Sequence, residues 1–213
     1  MIIIDVEQGT PEWFAARLGL VSASRMHDLT AKTKTGYSTS RANYAAELIA
    51  ERLTGTRQES YSNAAMQWGN EKEPAARDLY SFMHDVTVEQ VGLVMHPTIS
   101  MACASPDGLV ADEGLVEIKC PNTATHLDTL LNGTIDGKYI KQMQWQMACT
   151  GRRWCDFVSF DPRMPGEMQL FVQRVSRSDV LITELEGEVR AFLGEVDAKV
   201  HALKSRYLPQ AAE

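Results

Sequence analysis

Apolar and polar positions follow two different periods along this chain, and the change falls near Val86. Ahead of it most of the pattern is helical. The exception is residues 1–5 (MIIID), which read as a first strand. They carry no basic stretch and no small-residue cleavage site, so they do not read as a signal peptide. Residues 11–18 predict a helix with Pro11 at its first position and Trp13, Phe14 and Leu18 available for burial. Ser22 or Ser24 is placed to cap a short helix ending near Ala31. Residues 32–40 (KTKTGYSTS) are polar and turn-rich and predict a mobile loop. Residues 41–53 predict an amphipathic helix closed by Gly55. Residues 63–83 are helical again, with Pro74 opening a segment or kinking one.

Beyond Val86 the pattern shortens. Residues 86–95 and 100–104 are rich in Val and small apolar side chains and read as strands bounded by Pro97 and Pro106-Asp107-Gly108. Residues 115–120 (LVEIKC) predict a strand stopped by Pro121. Residues 125–131 and 139–150 predict helices, the second ended by Gly151, and 154–160 and 168–175 predict strands. A last helix starts near Ser178 with a buried stripe of Leu181, Leu185, Val189, Phe192, Val196, Val200 and Leu203. The order predicts an α/β or α+β fold, with a central mixed β-sheet flanked by helices and a helical N-terminal portion.

With 213 residues and no repeat or linker, the chain reads as a single domain over 1–213 with a full core. No apolar run is long enough to span a membrane. Cys103, Cys120, Cys149 and Cys155 form no CxxC pair and lie among apolar neighbours. They read as buried reduced thiols, which fits a cytoplasmic protein. The formal net charge of −7 argues by itself against a nucleic-acid partner. Net charge is a sum over surfaces, however, and basic groups can be confined to one face. Composition leaves that question open.

The chemistry is concentrated in Asp107 and in Glu117-Ile118-Lys119. On a strand Glu117 and Lys119 point to one side and Ile118 to the other. A return through Asp112-Glu113-Gly114 can bring Asp107 beside Glu117. Two carboxylates facing one point suit a hard divalent cation such as Mg²⁺. A lysine on that face can orient a water or offset charge building on phosphorus. An isolated E-x-K is weak evidence, because such pairs are common on solvated strands. Here the two charges interrupt an apolar strand, where burial is costly unless they are paired or metal-bound.

Beyond that segment the chain resembles the phage lambda exonuclease-like, or YqaJ-like, recombination nucleases, which have a restriction-endonuclease-like core. The resemblance lies in Val6-Glu7-Gln8-Gly9, Trp13, Arg17-Leu18-Gly19 and Ser22-Ala23-Ser24, and in Trp68-Gly69, Glu73 and Ala76-Arg77. It continues in Ala104-Ser105-Pro106-Asp107-Gly108, Glu117-Ile118-Lys119-Cys120-Pro121, and Tyr139, Gln142 and Gln144. It implies that Asp107, Glu117 and the Ile118 carbonyl hold the metal, with Glu73 adding an acidic group. It implies that Lys119 positions the water and Gln142 holds the arrangement. Arg17, Ser24 and Ser105 match positions that bind a 5′ phosphate, and Met66 a position that wedges the strands apart. Lys34, with Lys32, lies in a polar loop able to track the DNA backbone.

The activity implied is a Mg²⁺-dependent 5′→3′ exonuclease, with Mn²⁺ as a substitute and two ions per site. It would act on double-stranded DNA ends, release 5′-phosphomononucleotides and leave a 3′ tail for recombination. A ring-shaped homotrimer and a single-strand annealing protein partner are implied with it. Two alternatives stay open: an endonuclease on the same core, and a catalytically silent DNA-binding module. Bland roles also stay open for single residues: an exposed helix position for Arg17, a cap for Ser24, solvated side chains for Glu73 and Gln142, core filler for Met66. One departure from the family stands out. Thr125 occupies the place of a second phosphate-binding arginine, with His126 beside it and Arg152 or Arg153 as candidates to compensate.

Overall fold

The computed structural model describes residues 1–58 and 64–208. Its first part runs β1 (Ile2–Ile4), α1 (Pro11–Ala16), β2 (Val21–Ser22), α2 (Met26–Thr30), β3 (Lys32–Thr33), β4 (Gly36–Tyr37), α3 (Thr39–Thr54) and α4 (Ala64–His84). The second part runs β5 (Val88–Glu89), β6 (Leu93–Met95), β7 (Ala102–Ala104), β8 (Gly108–Val110), β9 (Gly114–Lys119), α5 (Thr123–Asn132), α6 (Gly137–Thr150), β10 (Trp154–Phe160), β11 (Leu170–Ser176) and α7 (Asp179–Tyr207).

Local chemistry sets most of these boundaries. Thr10 Oγ1 accepts from Trp13 N at 3.3 Å and Pro11 takes the first helical position of α1. Gly55 and Gly151 close α3 and α6 with φ of 66° and 74°, a region costly for other residues. Ser178 caps α7 by accepting from Leu181 N at 3.3 Å.

Three expectations are corrected, and a fourth, for Pro74, is narrowed to a position inside a helix. Ser22 sits before a 3-10 turn over Ala23–Arg25 but makes no capping bond; its Oγ lies 3.4 Å from Ser24 Oγ. Residues 32–40 are not a loose loop, because β3 and β4 pair as a hairpin. Lys32 Nζ and the Tyr37 hydroxyl both reach Glu188 on α7, at 2.7 and 2.6 Å. Pro74 lies inside α4 without ending it; Asn63, the expected first residue, lies outside the described residues. The run 86–95 divides between two sheets, β5 pairing with β8 and β6 with β1 and β7. Gly92 is where it divides: a Cβ there would lie 2.1 Å from the Val6 carbonyl oxygen. The backbones cross too closely for any side chain.

Among the described residues the main sheet has the order β11-β10-β9-β8-β5 and a second sheet the order β1-β6-β7-β2. The main sheet is mixed: β9 runs antiparallel to β8 and parallel to β10. Strand alternation gives each strand two burial partners. Leu115, Cys155 and Phe157 pack with Met143 and Met147 of α6 and Leu185 and Val189 of α7. Val116, Ile118, Val158 and Phe160 pack on the other face with Ala76 and Tyr80 of α4. This is the expected restriction-endonuclease-like layering of a mixed sheet between helices. The second sheet gathers strands expected at residues 1–5, 86–95 and 100–104 and adds only β2 from the region whose pattern reads as helical. The four cysteines are buried and free. No described helix is long and apolar enough to cross a membrane.

Candidate active site

The β8–β9 ladder ends where the chemistry begins. Its last pair is Gly108↔Val116, so the next residues in register are Asp107 and Glu117. Beyond Val116, β9 has no β8 partner, and Ile118 N instead donates to Asp107 Oδ2 at 2.6 Å. The N–H and C=O of one strand residue face the same edge, so the Ile118 carbonyl looks into the same gap. Gly108 is required beside Asp107, because a Cβ would lie 2.1 Å from Val88 Cγ1. Gln8 steadies the approach by donating to the Pro106 and Val91 carbonyls at 2.9 and 2.7 Å.

Glu117 is fully buried, on the face covered by α6. Lys119 Nζ pairs with its Oε1. Gln142 Nε2 donates to Oε1 and Gln146 Nε2 to Oε2, each at 2.6 Å. Four residues apart on α6, the two glutamines share one helix face and clamp one carboxylate. Gln142 is where the sequence motif puts it. Gln146 carries no expected role, although its spacing from Gln142 is the signal that finds it. Gln144 serves elsewhere, donating to Ser176 O and accepting from Ser178 N at 2.8 Å each. Gln146→Leu should therefore lower activity about ten- to a hundredfold, the usual cost of losing a group that orients a ligand. Thermal melting of the same variant checks that the fold persists, and unchanged turnover would remove Gln146 from the site.

α4 brings Glu73 from the other side of the sheet. Arg77, one turn on, bonds Glu73 Oε1 through Nη2 and the Asp107 carbonyl through Nε at 3.3 Å. Burial, then the charge of Glu117, pushes the Asp107 carboxyl well above its ordinary range. Burial raises Glu73 as well, against the pull of Arg77. Burial alone would lower the Lys119 ammonium, but Glu117 and Asp107 outweigh it and hold it above the ordinary lysine value. Three carboxylates thus share two cations, an arrangement short of positive charge.

That deficit and the all-oxygen donor set suit a hard divalent cation. Cys120 does not make the site softer, since burial pushes its thiol up to about 12. Among the described residues no three His, Cys, Asp or Glu side chains form a ready-made ligand cluster. The donors at hand are the carboxylates of Asp107 and Glu117 and the Ile118 carbonyl, with Glu73 in their field.

The residues matched to a 5′ phosphate gather around Ser105, two residues before Asp107. Trp13 Nε1 donates to Ser105 Oγ at 3.0 Å, and the Arg17 guanidinium lies 4.2 Å from the Trp13 ring centroid. The parallel register Ser22↔Cys103 carries Ser24 and Ser105 out at the same sheet end. Ser24 is exposed and Ser105 partly so. Thr125 is exposed in the first turn of α5, its N–H donating to Asn122 Oδ1 at 2.9 Å. The candidates to compensate for it are excluded by position. Arg152 spends Nη1 on the carbonyls of Val110, Ala111 and Gly114, and Arg153 pairs with Glu113. Both sit by the start of β9, five residue steps or roughly 17 Å of strand from Lys119. His126 is buried between Ser159 Oγ and the Met168 carbonyl, 2.8 Å from each. Lys34 is exposed at the tip of the β3–β4 hairpin. Met66 is 51% exposed in the first turn of α4, so it is not core filler.

The YqaJ-like viral recombinase domain model matches residues 12–153, which include Arg17, Glu73, Asp107, Glu117, Lys119, Gln142 and Gln146. No curated protein matches the chain. Among solved structures, it is similar to an alkaline exonuclease (LHK-Exo) from Laribacter hongkongensis. The TM-score is 0.87 and the identity 56%, over 92% of this chain and 97% of that one. A structure of LHK-Exo in complex with dAMP matches equally, at 56% identity and TM-score 0.87. A phage related exonuclease from Haemophilus somnus 129PT shares the fold at TM-score 0.71 and 17% identity, over 86% of this chain and 96% of that one. The chain belongs to the YqaJ-like viral recombinase family.

Proposed function

We propose that this protein is a Mg²⁺-dependent exonuclease that degrades one strand of linear double-stranded DNA 5′→3′ and leaves a 3′ single-stranded tail for recombination. The observation that carries the reading is Asp107 in register with Glu117 at the end of the β8–β9 ladder, with Lys119 on the Glu117 face. The likeness to an alkaline exonuclease at 56% identity supports the reaction class. Bound there, one or two Mg²⁺ or Mn²⁺ ions would supply Lewis acidity toward the phosphodiester. Asp107, Glu117 and the Ile118 carbonyl would hold them, with Glu73 nearby. Lys119 orients the attacking water and offsets the charge that develops on phosphorus. Gln142 and Gln146 fix the Glu117 carboxylate; Arg77 fixes Glu73 and the Asp107 backbone.

Arg17, Ser24 and Ser105 bind the terminal 5′ phosphate, the arginine through its fork and the hydroxyls through single bonds. Met66 and Lys34, both exposed, contact the duplex. A ring-shaped homotrimer would reconcile the net charge of −7 with a basic DNA channel. Exposed apolar residues such as Ile2, Ile3 and Leu131 fit contacts between copies or with a single-strand annealing protein.

A cleavage time course tests the reading. Linear duplex with a 5′ phosphate, the same duplex with a 5′ hydroxyl, and a covalently closed circle are each incubated with and without Mg²⁺. The expected result is loss of one strand of the phosphorylated duplex with Mg²⁺ only, slower loss of the hydroxyl form, and an intact circle. Cutting of the circle would make it an endonuclease. DNA binding without any hydrolysis would make it a silent module.

A further inference from the structure

Arg163 follows β10 and folds back onto the corner between β9 and α5. Its Nε and Nη2 grip the Asp161 carboxylate at 2.7 and 2.9 Å, and Nη2 reaches the Pro121 carbonyl at 3.4 Å. Asp161 is fully buried and also accepts from Arg163 N at 3.0 Å. The guanidinium is therefore locked in place from behind. Its Nη1 makes no hydrogen bond among the described residues, and the side chain is 47% exposed. In front of it lies Trp68, whose ring centroid is 4.4 Å from the guanidinium carbon and 4.9 Å from Lys72 Nζ. Lys72 has no carboxylate partner among the described residues.

The position of this platform gives it meaning. Trp68 lies on α4 between exposed Met66 and the site residue Glu73. Pro121, which Arg163 touches, is two residues past Lys119 and one before Asn122, the cap of α5. Arg163 and Thr125 thus flank the same corner, one from the β10–β11 connection and one from the first turn of α5. In a chain with net charge −7, two cations gathered on one indole at the mouth of a carboxylate site need a reason.

We propose that Arg163, stacked on Trp68 with Lys72, is a contact for a DNA phosphate at the active site, and supplies to that corner the cation that Thr125 does not. The inference rests on the nuclease reading. Arginine suits the task because its fork stacks on an aromatic face and still donates edgewise to a phosphate. A guanidinium already held by Asp161 gives up little freedom on binding.

The test uses the full chain and a short duplex with a 5′ phosphate. Affinity is read by fluorescence anisotropy without Mg²⁺ across a salt series, and steady-state cleavage with Mg²⁺. Arg163→Gln should lower the slope of log affinity against log salt by about 1, as expected for one lost phosphate contact. KM should rise several-fold with kcat little changed. Thr125→Arg in the Arg163→Gln background should recover affinity and slope, since it returns a cation to the same corner. Unchanged slope and KM in Arg163→Gln would overturn the inference. So would a loss that Thr125→Arg fails to recover, which would make Arg163 a staple for its loop. A wild-type chain that binds duplex but never cleaves it would undo the nuclease reading, and the binding arm would still decide the role of Arg163.

Discussion

Lys119→Met is expected to slow DNA cleavage by at least about a hundredfold, the scale set by losing one charged donor at a developing charge. Methionine keeps most of the stem that runs past the Tyr139 ring, whose centroid is 5.4 Å from Nζ. What it removes is the ammonium, which Glu117 and Asp107 hold in its charged form. The variant therefore separates charge from packing. Glu117 keeps its two glutamine donors, so the strand and α6 stay joined. Duplex affinity should change far less than turnover, because one contact of many is lost. Lys119→Arg should not rescue activity, since a planar fork does not fit where a compact ammonium pairs with a fully buried carboxylate. Single-turnover cleavage and anisotropy on the same preparation give the two numbers. Turnover within tenfold of wild type would remove Lys119 from the chemistry.

The part of this site that the sequence reveals is the part built from short-range rules. Alternation along β9 places Glu117 and Lys119 together and sends Ile118 to the α4 layer, and the Asp107 turn closes the pair. The stripe on α7, buried from Leu185 through Val196 but with Leu203 exposed past the end of the core, and the caps at Ser178 and Gly151 are equally local. What the sequence hides depends on partners far along the chain. The 32–40 segment is polar and turn-rich, and only Glu188 on α7 makes it a hairpin. The run 86–95 looks like one strand until Gly92 meets the backbone of Val6. Arg77 and Gln146 look like ordinary helix residues until Asp107 and Glu117 come within reach. Arg152 and Arg153 carry the charge that Thr125 lacks, yet the length of β9 lies between them and Lys119. The family motifs carried the site further than periodicity could, because they name residues from five separate segments at once.

α4 carries Glu73 and Arg77, so its anchorage to the sheet matters to the site, and Asp156→Ala should loosen it at a cost of about 3 kcal/mol. Asp156 is buried on β10 and accepts from the Tyr80 hydroxyl of α4 at 2.7 Å. Arg174 of β11 grips the same carboxylate at 2.8 and 2.9 Å and lies 3.5 Å from the Trp154 ring centroid. The two partners do not contribute equally. Half of the Arg174 side chain is exposed, so water replaces much of what it loses. Tyr80 is buried, and burial followed by Asp156 pushes its phenol up, so it is a donor at all working pH values. Removing its acceptor strands that donor. In a chain of this length the expected fall in Tm is roughly 10 °C. Tyr80→Phe should cost only about 1 kcal/mol, because Arg174 still satisfies Asp156. The double variant Asp156→Ala/Tyr80→Phe should then be more stable than Asp156→Ala alone, since no hydroxyl is left unpaired. If the double variant is instead the less stable, the stranded hydroxyl is not the source of the loss. In that case the loss comes from the ion pair that joins β10 to β11, and Asp156 does not anchor α4 through Tyr80.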